Sequence, residues 1–196
     1  MKITVVLVGH TRLKMDRLVN LYKLNKPLIK HKLVIVYNGE GFYDAEILCK
    51  NNKQGRDVAM YRKAIEFEPS DFYFFMNDDV CYIQDGLWLD HAISLKTEVV
   101  AVQTNLASVV PHRIIKKVRG SIPTHHKRQG TTPKFIRTSA FGCTKEYFER
   151  VWEHAKGSAQ RFEKATLKLA NNVGYFMDSF YIYDENLKPY IKEMLK

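Results

Sequence analysis

Phe72-Tyr73-Phe74-Phe75-Met76 runs without a break into Asn77-Asp78-Asp79. Five consecutive apolar residues with no alternation are the pattern of a strand buried on both faces, as central parallel strands are, although a run this short also suits a buried helix. Two adjacent carboxylates at the end of such a segment are costly beside a core unless water, hydrogen bonds or a cation satisfies them. Mg²⁺ or Mn²⁺ takes oxygen ligands and keeps several waters while bridging one or two carboxylates to substrate phosphates, so a short acidic motif is enough to hold one. The competing reading is an exposed turn, where Asn and Asp are favoured for their local hydrogen bonds.

Upstream of this stretch, Lys2 to Val8 reads as a first strand. The periodic segment carrying Leu18, Leu21 and Tyr22 reads as a helix that Pro27 ends, and Lys32 to Tyr37 as a second strand closing at Asn38-Gly39. A short helix is predicted over Tyr43 to Lys50. A longer one covers Arg56 to Glu68, with Val58, Tyr61 and Ile65 on one side and Pro69-Ser70-Asp71 after it.

Downstream, Gly86 to Leu95 reads as helix, Val99 to Thr104 as a fourth strand and Lys134 to Phe141 as a fifth. Thr144 to His154 and Ser158 to Leu169 carry helical periodicity, and the aromatic run Val173 to Tyr183 suits either strand or helix. Repeated strand-helix-strand units predict an α/β fold with a right-handed parallel arrangement and ligands beyond the carboxyl ends of the strands. That puts Gly9 to Arg12, Asn38 to Gly41 and Asn77 to Val80 on one edge.

With 196 residues, 45% of them hydrophobic, the chain suffices for one substantial core. A single domain over 1–196 is expected, with halves at about 1–104 and 105–196, the second including a basic loop at 105–134. The net charge of +10 is localised: from Val99 to Lys145 there is no Asp or Glu but nine Lys and Arg. Such a field draws phosphate-bearing partners such as nucleotides, nucleic acid or an anionic surface.

Ile3 to Val8 falls far short of the roughly 18 to 20 apolar residues that span a bilayer. Cys49, Cys81 and Cys143 are odd in number and unpaired in spacing, which predicts a reducing, cytoplasmic setting with at most peripheral membrane contact. His112, His125, His126 and His154 show no zinc-like spacing.

The order of elements, with an acidic motif closing the third main strand, resembles the GT-A-fold glycosyltransferases, particularly the broad family-2-like group. The resemblance covers most of the chain and implies a mostly parallel, Rossmann-like sheet flanked by helices. Val6-Leu-Val-Gly-His-Thr-Arg12 is similar to the first nucleotide-binding loop of that group, and Val34-Ile-Val-Tyr-Asn-Gly39 to the strand whose end carries an acidic base-reading residue. Asn38 stands in that place, and its amide, both donor and acceptor, leaves uracil or guanine open. Gly55 to Arg62 resembles the glycine-started helix before the acidic strand, with Met60 and Tyr61 where the family often has Arg-Asn and with Arg56, ahead of Arg62, to replace that charge.

By this resemblance, Gly9, His10, Thr11, Asn38, Arg56, Asn77 and Asp78 bind the nucleotide sugar, with Asp78 at the ribose. Asp79 holds Mn²⁺ or Mg²⁺. Tyr175-Phe-Met-Asp-Ser-Phe180 matches the position of the acidic base, which nominates Asp178 ahead of Asp184 and Glu185. Thr138-Ser-Ala-Phe-Gly-Cys143 resembles the small-residue strand end on the acceptor face.

The implied activity is metal-dependent, inverting transfer of a sugar from a UDP- or GDP-sugar to a hydroxyl of a glycan, protein or lipid-linked acceptor. Two other readings stay open. One is a nucleic-acid-binding protein using residues 113–145, and the other a metal-dependent nucleotidyltransferase lacking a glycine-rich phosphate loop.

Overall fold

The computed structural model describes residues 1–43, 45, 47–50, 57–83, 86–102, 135–175 and 180–182. The strands are β1 (Ile3–Gly9), β2 (Lys32–Tyr37), β3 (Ile47–Lys50), β4 (Phe72–Asn77), β5 (Val80–Ile83), β6 (Val99–Ala101), β7 (Ala140–Thr144), β8 (Val173–Tyr175) and β9 (Phe180–Ile182). The helices are α1 (Arg12–Leu24), α2 (Asp57–Phe67), α3 (Trp88–Ser94), α4 (Lys145–Ala155) and α5 (Ala159–Leu169). Seven strands form one sheet in the order β3-β2-β1-β4-β7-β6-β8, and β5 and β9 pair separately as an antiparallel ribbon. Within the large sheet, β7 alone runs antiparallel to its neighbours β4 and β6.

The expected strand at Phe72 to Met76 is central, and every residue of β4 is buried. Successive side chains of a strand face opposite sides, so β4 feeds two cores. Phe74 and Met76, with Val5 and Leu7 of β1, pack under α1 and α3. Tyr73 and Phe75, with Val6 and Val8, pack under α2, α4 and α5. Thr144 and Ser158 cap the last two helices, each side chain accepting a backbone N–H, and Lys156 ends α4 in the left-handed conformation.

Two expectations need correction. The segment placed in a helix at Tyr43 to Lys50 instead ends as β3, with Ile47 to Lys50 paired in parallel to Val34 to Tyr37. A helix of a few residues has a costly nucleus, whereas an open sheet edge offers each of these residues a ladder partner. The fifth strand lies at Ala140–Thr144 rather than Lys134 to Phe141, and it is antiparallel. Its seat is set by Gly142, where a Cβ would come within 2.7 Å of the Phe72 ring. Periodicity carries no information on strand direction. The aromatic run at Val173 to Tyr183 resolves into strand at both β8 and β9.

Phe75 joins the pieces on the α2 side, its ring 4.6 Å from Tyr61, 5.1 Å from Phe141, 5.4 Å from Phe148 and 5.6 Å from Tyr73 between centroids. Phe75→Ala removes the shared wall of that cluster and is expected to cost about 3–5 kcal/mol of stability, read from the midpoint of urea unfolding. A loss under about 1 kcal/mol would mean that the cluster collapses around the deletion.

Candidate active site

In the sheet register Gly9 lies opposite Tyr37 and Val8 opposite Asn77, so β1, β2 and β4 end side by side. The ladder runs one step further, where Asn38 N–H donates to the Gly9 carbonyl at 3.1 Å. The three polar loops expected on one edge therefore meet. On the other side of β4, Asn77 N–H donates to the Ser139 carbonyl at 2.8 Å, and Tyr61 Oη donates to the Thr138 carbonyl at 2.9 Å. A side chain at Gly9 would collide with Met15 Sδ at 2.7 Å and crowd the Asp78 carboxylate, so glycine lets β1 close onto β4 here.

His10 links the strand ends. Its backbone N–H donates to Asp78 Oδ2 at 2.9 Å, its Nε2 meets Asp57 Oδ1 at 3.0 Å and its Nδ1 meets Asn38 Nδ2 at 3.0 Å. When the ring is neutral, an Asn38 amide nitrogen donating to Nδ1 leaves the ring proton on Nε2, directed at Asp57. Asp57 Oδ2 accepts from Asn77 Nδ2 at 2.7 Å, and Asn77 Oδ1 accepts from the backbone N–H of Asp79 at 3.2 Å. One chain of hydrogen bonds thus runs from Asn38 at the end of β2 to Asp79 beyond β4. Met60, buried on α2, accepts a weak 3.8 Å contact from Asn38 Nδ2.

Burial separates the acidic motif. Asn77 and Asp78 are 3% and 5% exposed, whereas the Asp79 side chain keeps 35% of its surface. The Asp78 carbonyl accepts from Arg17 Nη2 at 2.8 Å, and Asp79 Oδ1 accepts from Lys14 Nζ at 2.9 Å. Thr11 is the N-cap of α1, with extended backbone and no hydrogen bond from its side chain to the helix. The first turn of α1 therefore brings its positive end to this edge.

The titration behaviour follows from these contacts. The Asp57 hydrogen bond, opposed by partial burial and helped by the charges of Asp57, Asp78 and Asp79, raises His10 above its ordinary value. Burial pushes Asp57 up, but hydrogen bonds from His10 and Asn77 outweigh it and hold the carboxyl below the usual range. The hydrogen bond to Asp79 raises Lys14. A raised histidine contributes stability in full below its unfolded value of 6.5 and loses it as pH rises through the folded value. A depressed carboxyl contributes above its unfolded 3.8 and loses it as pH falls through the folded value. Between 3.8 and 6.5 both contributions are present in full.

Asp57, Lys14 and Arg17 were not singled out by the sequence reading. Asp57 opens α2, and Lys14 and Arg17 stand three apart at the start of α1, so acidic and basic residues in the first turns of helices entering from the site edge were the available signal. Arg62, the alternative to Arg56, is instead paired with Glu66 on its own helix at 3.0 Å and with Glu149 of α4 at 3.7 Å. Arg56, Asp178, Asp184, Glu185, His112, His125, His126 and the basic loop at 105–134 lie outside the described residues.

Among the described residues no three His, Cys, Asp or Glu side chains are grouped to cage a metal. Mg²⁺ or Mn²⁺ does not need such a cage, because one carboxylate plus phosphate oxygens and waters suffices. Asp79, part-exposed just beyond the strand end and ion-paired with Lys14, is a carboxylate of that donor type. A cavity of about 560 Å³ opens at the other end of the strands, beside Met1, Phe72, Lys96 and Asn172. Its carboxylate, Glu98, is taken up by Arg150 and by Asn171, so it offers no comparable chemistry.

No protein-family model matches the sequence, and no curated protein sequence does. Solved structures do match in fold. A mannosyltransferase, PcManGT from Pyrobaculum calidifontis in complex with GDP-Man and Mn²⁺, superposes with a TM-score of 0.59 at 14% identity, over 91% of this chain and 55% of that one. S. aureus TarS in complex with UDP-GlcNAc gives 0.58 at 12% identity, over 94% and 59%. The 2-C-methyl-D-erythritol 4-phosphate cytidylyltransferase of Thermus thermophilus gives 0.57 at 8% identity, over 99% and 98%. The chain thus spans a little over half the length of the two glycosyltransferase structures and nearly all of the cytidylyltransferase.

Replacing Asp57 by Asn removes the main cause of the His10 shift. The His10 ring proton, followed by NMR against pH, is expected to titrate above 6.5 in the native protein and lower in Asp57→Asn. Equal midpoints in the two would contradict the hydrogen-bond chain. The chain has the GT-A type of fold, the one seen in those nucleotide-sugar transferase structures.

Proposed function

We propose that the protein is a metal-dependent glycosyltransferase that moves a sugar from a UDP- or GDP-sugar to an acceptor hydroxyl. The observation that carries this is the single edge where Gly9, His10, Asn38 and Asn77-Asp78-Asp79 are joined by hydrogen bonds beyond the carboxyl ends of three parallel strands. Asn38 and His10 hold the nucleoside, with Thr11 and the start of α1 at the phosphates and Arg56 adding charge. Asp78 serves the ribose, and Asp79 holds Mn²⁺ or Mg²⁺, which when bound neutralises charge on the diphosphate leaving group. Fold likeness to proteins solved with GDP-Man and Mn²⁺ and with UDP-GlcNAc supports the donor class.

On the acceptor side Asp178 is assigned as the base. The acceptor oxygen forms its bond to the anomeric carbon as the bond to the diphosphate oxygen breaks, and the hydroxyl proton passes to the carboxylate. In support, Asp178 falls between β8, in the main sheet, and β9, which pairs with β5, the strand that begins next to Asp79. The basic loop at 105–134 is assigned to the diphosphate or to an anionic acceptor. No described helix is long and apolar enough to cross a membrane.

A second reading, a metal-dependent nucleotidyltransferase, is favoured by the nearly complete overlap with a cytidylyltransferase. Both chemistries place phosphates at the same edge. Incubation with UDP-, GDP- and dTDP-sugars and Mn²⁺ is expected to release nucleoside diphosphate, with loss of about 10²-fold or more in Asp79→Ala. Full turnover in Asp79→Ala would overturn the metal assignment, and pyrophosphate release from nucleoside triphosphates without any sugar turnover would establish the second reading. Asp178→Ala is expected to keep donor binding while transfer falls by about 10²–10⁴-fold. Unchanged transfer would remove Asp178 as the base.

A further inference from the structure

We propose that the segment from Lys23 to Lys30, where α1 ends and the chain turns back into β2, docks the protein on an anionic lipid surface. The proposal goes beyond the donor chemistry and does not depend on it. Burial alternates along this segment. Leu24, Lys26, Leu28 and Lys30 are exposed, while Asn25, Pro27, Ile29 and His31 are buried or half-buried. The outward row therefore reads Leu-Lys-Leu-Lys, with exposed Lys23 beside it, and Leu24 and Leu28 each keep 81% of their surface. No Asp or Glu occurs between Asp16 and Glu40.

The inward row braces the turn. Trp88 Nε1 donates to the Asn25 carbonyl at 2.9 Å, and the Asn25 side-chain amide donates to the Leu21 carbonyl at 3.1 Å. His31 bridges the Ile29 carbonyl and the Tyr22 hydroxyl through its two ring nitrogens. A single exposed leucine on a protein surface is ordinary. Two held outward by a braced backbone, with lysines on either side of each, form a mixed apolar and cationic face. Among the described residues Lys23, Lys26 and Lys30 form no ion pair, whereas Lys32 is taken by Glu68 at 3.0 Å.

A lipid interface accommodates both parts of this face at once. Leucine side chains sink to the acyl boundary, and lysine stems lie along it with their ammonium groups among anionic headgroups. Nucleic acid would meet the lysines equally well, but it gives the leucines nothing to bury against, and the outward row has no aromatic ring for a base to stack on. The position also suits the fold. Helix α1 starts at the donor edge and this segment lies at its far end, about 20 Å away along a helix of 13 residues. Docking here keeps the joined ends of β1, β2 and β4 on the side away from the lipid, toward the water that carries nucleotides.

The test is sedimentation with vesicles of phosphatidylserine and phosphatidylcholine in equal parts, compared with vesicles of phosphatidylcholine alone. Native protein is expected to sediment with the first and not with the second, and less so as salt is added. Lys23→Gln, Lys26→Gln and Lys30→Gln together are expected to weaken binding by about tenfold or more. Leu24→Ser with Leu28→Ser is expected to weaken it by about tenfold. All five positions are exposed, and thermal unfolding checks that both variants fold. A gain of signal complements these losses: Leu28→Trp is expected to keep binding and to shift its fluorescence to the blue on the anionic vesicles. Native protein left in the supernatant, native-like binding in either multiple variant, or a Leu28→Trp emission unmoved by vesicles would each overturn the proposal. Native-like binding in the lysine variant would move the membrane contact elsewhere, with the basic loop at 105–134 first in line. Binding of single-stranded RNA that the lysine variant loses, with no vesicle binding by the native protein, would assign the segment to nucleic acid instead.

Discussion

The burial of β4 on both faces is the constraint from which the site follows. A strand flanked by β1 and β7 and covered by helices on each side has no place for a polar side chain except where it leaves the sheet. Asn77 is that place. It is nearly fully buried, yet its backbone N–H reaches Ser139 on the β7 side, its amide nitrogen reaches Asp57 at the start of α2, and its amide oxygen receives Asp79 N–H. A buried polar group left unpaired is costly, so these bonds fix how α2 and the segment after β4 stand against the sheet.

His10 does the same from the other side. Its three contacts, to Asn38, Asp57 and Asp78, tie the ends of β2, α2 and β4 to the loop after β1. Carboxylates (Asp57, Asp78 and Asp79) and cations (Lys14 and Arg17) meet at this edge. The orientation of Asn38 belongs to the same network. Its nitrogen contacts His10 and Met60, and among the described residues nothing donates to its oxygen.

Much of this was legible from local pattern. The unbroken apolar run at Phe72 to Met76 announced a doubly buried strand, and alternation of strands and helices put Gly9, Asn38 and Asn77 on one edge. What escaped depends on distant partners. Ile47 to Lys50 becomes a strand because β2 lies beside it, and the direction of β7 is set by its neighbours. Asp57 and Lys14 matter through partners 47 and 65 residues away, at separations where no periodicity connects them. Within Asn77-Asp78-Asp79 burial adds what sequence does not carry: the first two are nearly fully buried, while the Asp79 side chain, paired with Lys14, keeps 35% of its surface.

The central claim is that nucleotide binds across the joined ends of β1, β2 and β4. Backbone amide chemical shifts of isotope-labelled protein, recorded as UDP or GDP is added with Mn²⁺, test it most directly. The account predicts that the largest changes fall on Gly9, His10, Thr11, Asn38 and Asn77 to Asp79, while the opposite end around Glu98 and Asn171 stays still. Changes confined to that opposite end, or none on saturating addition of either nucleotide, would contradict it.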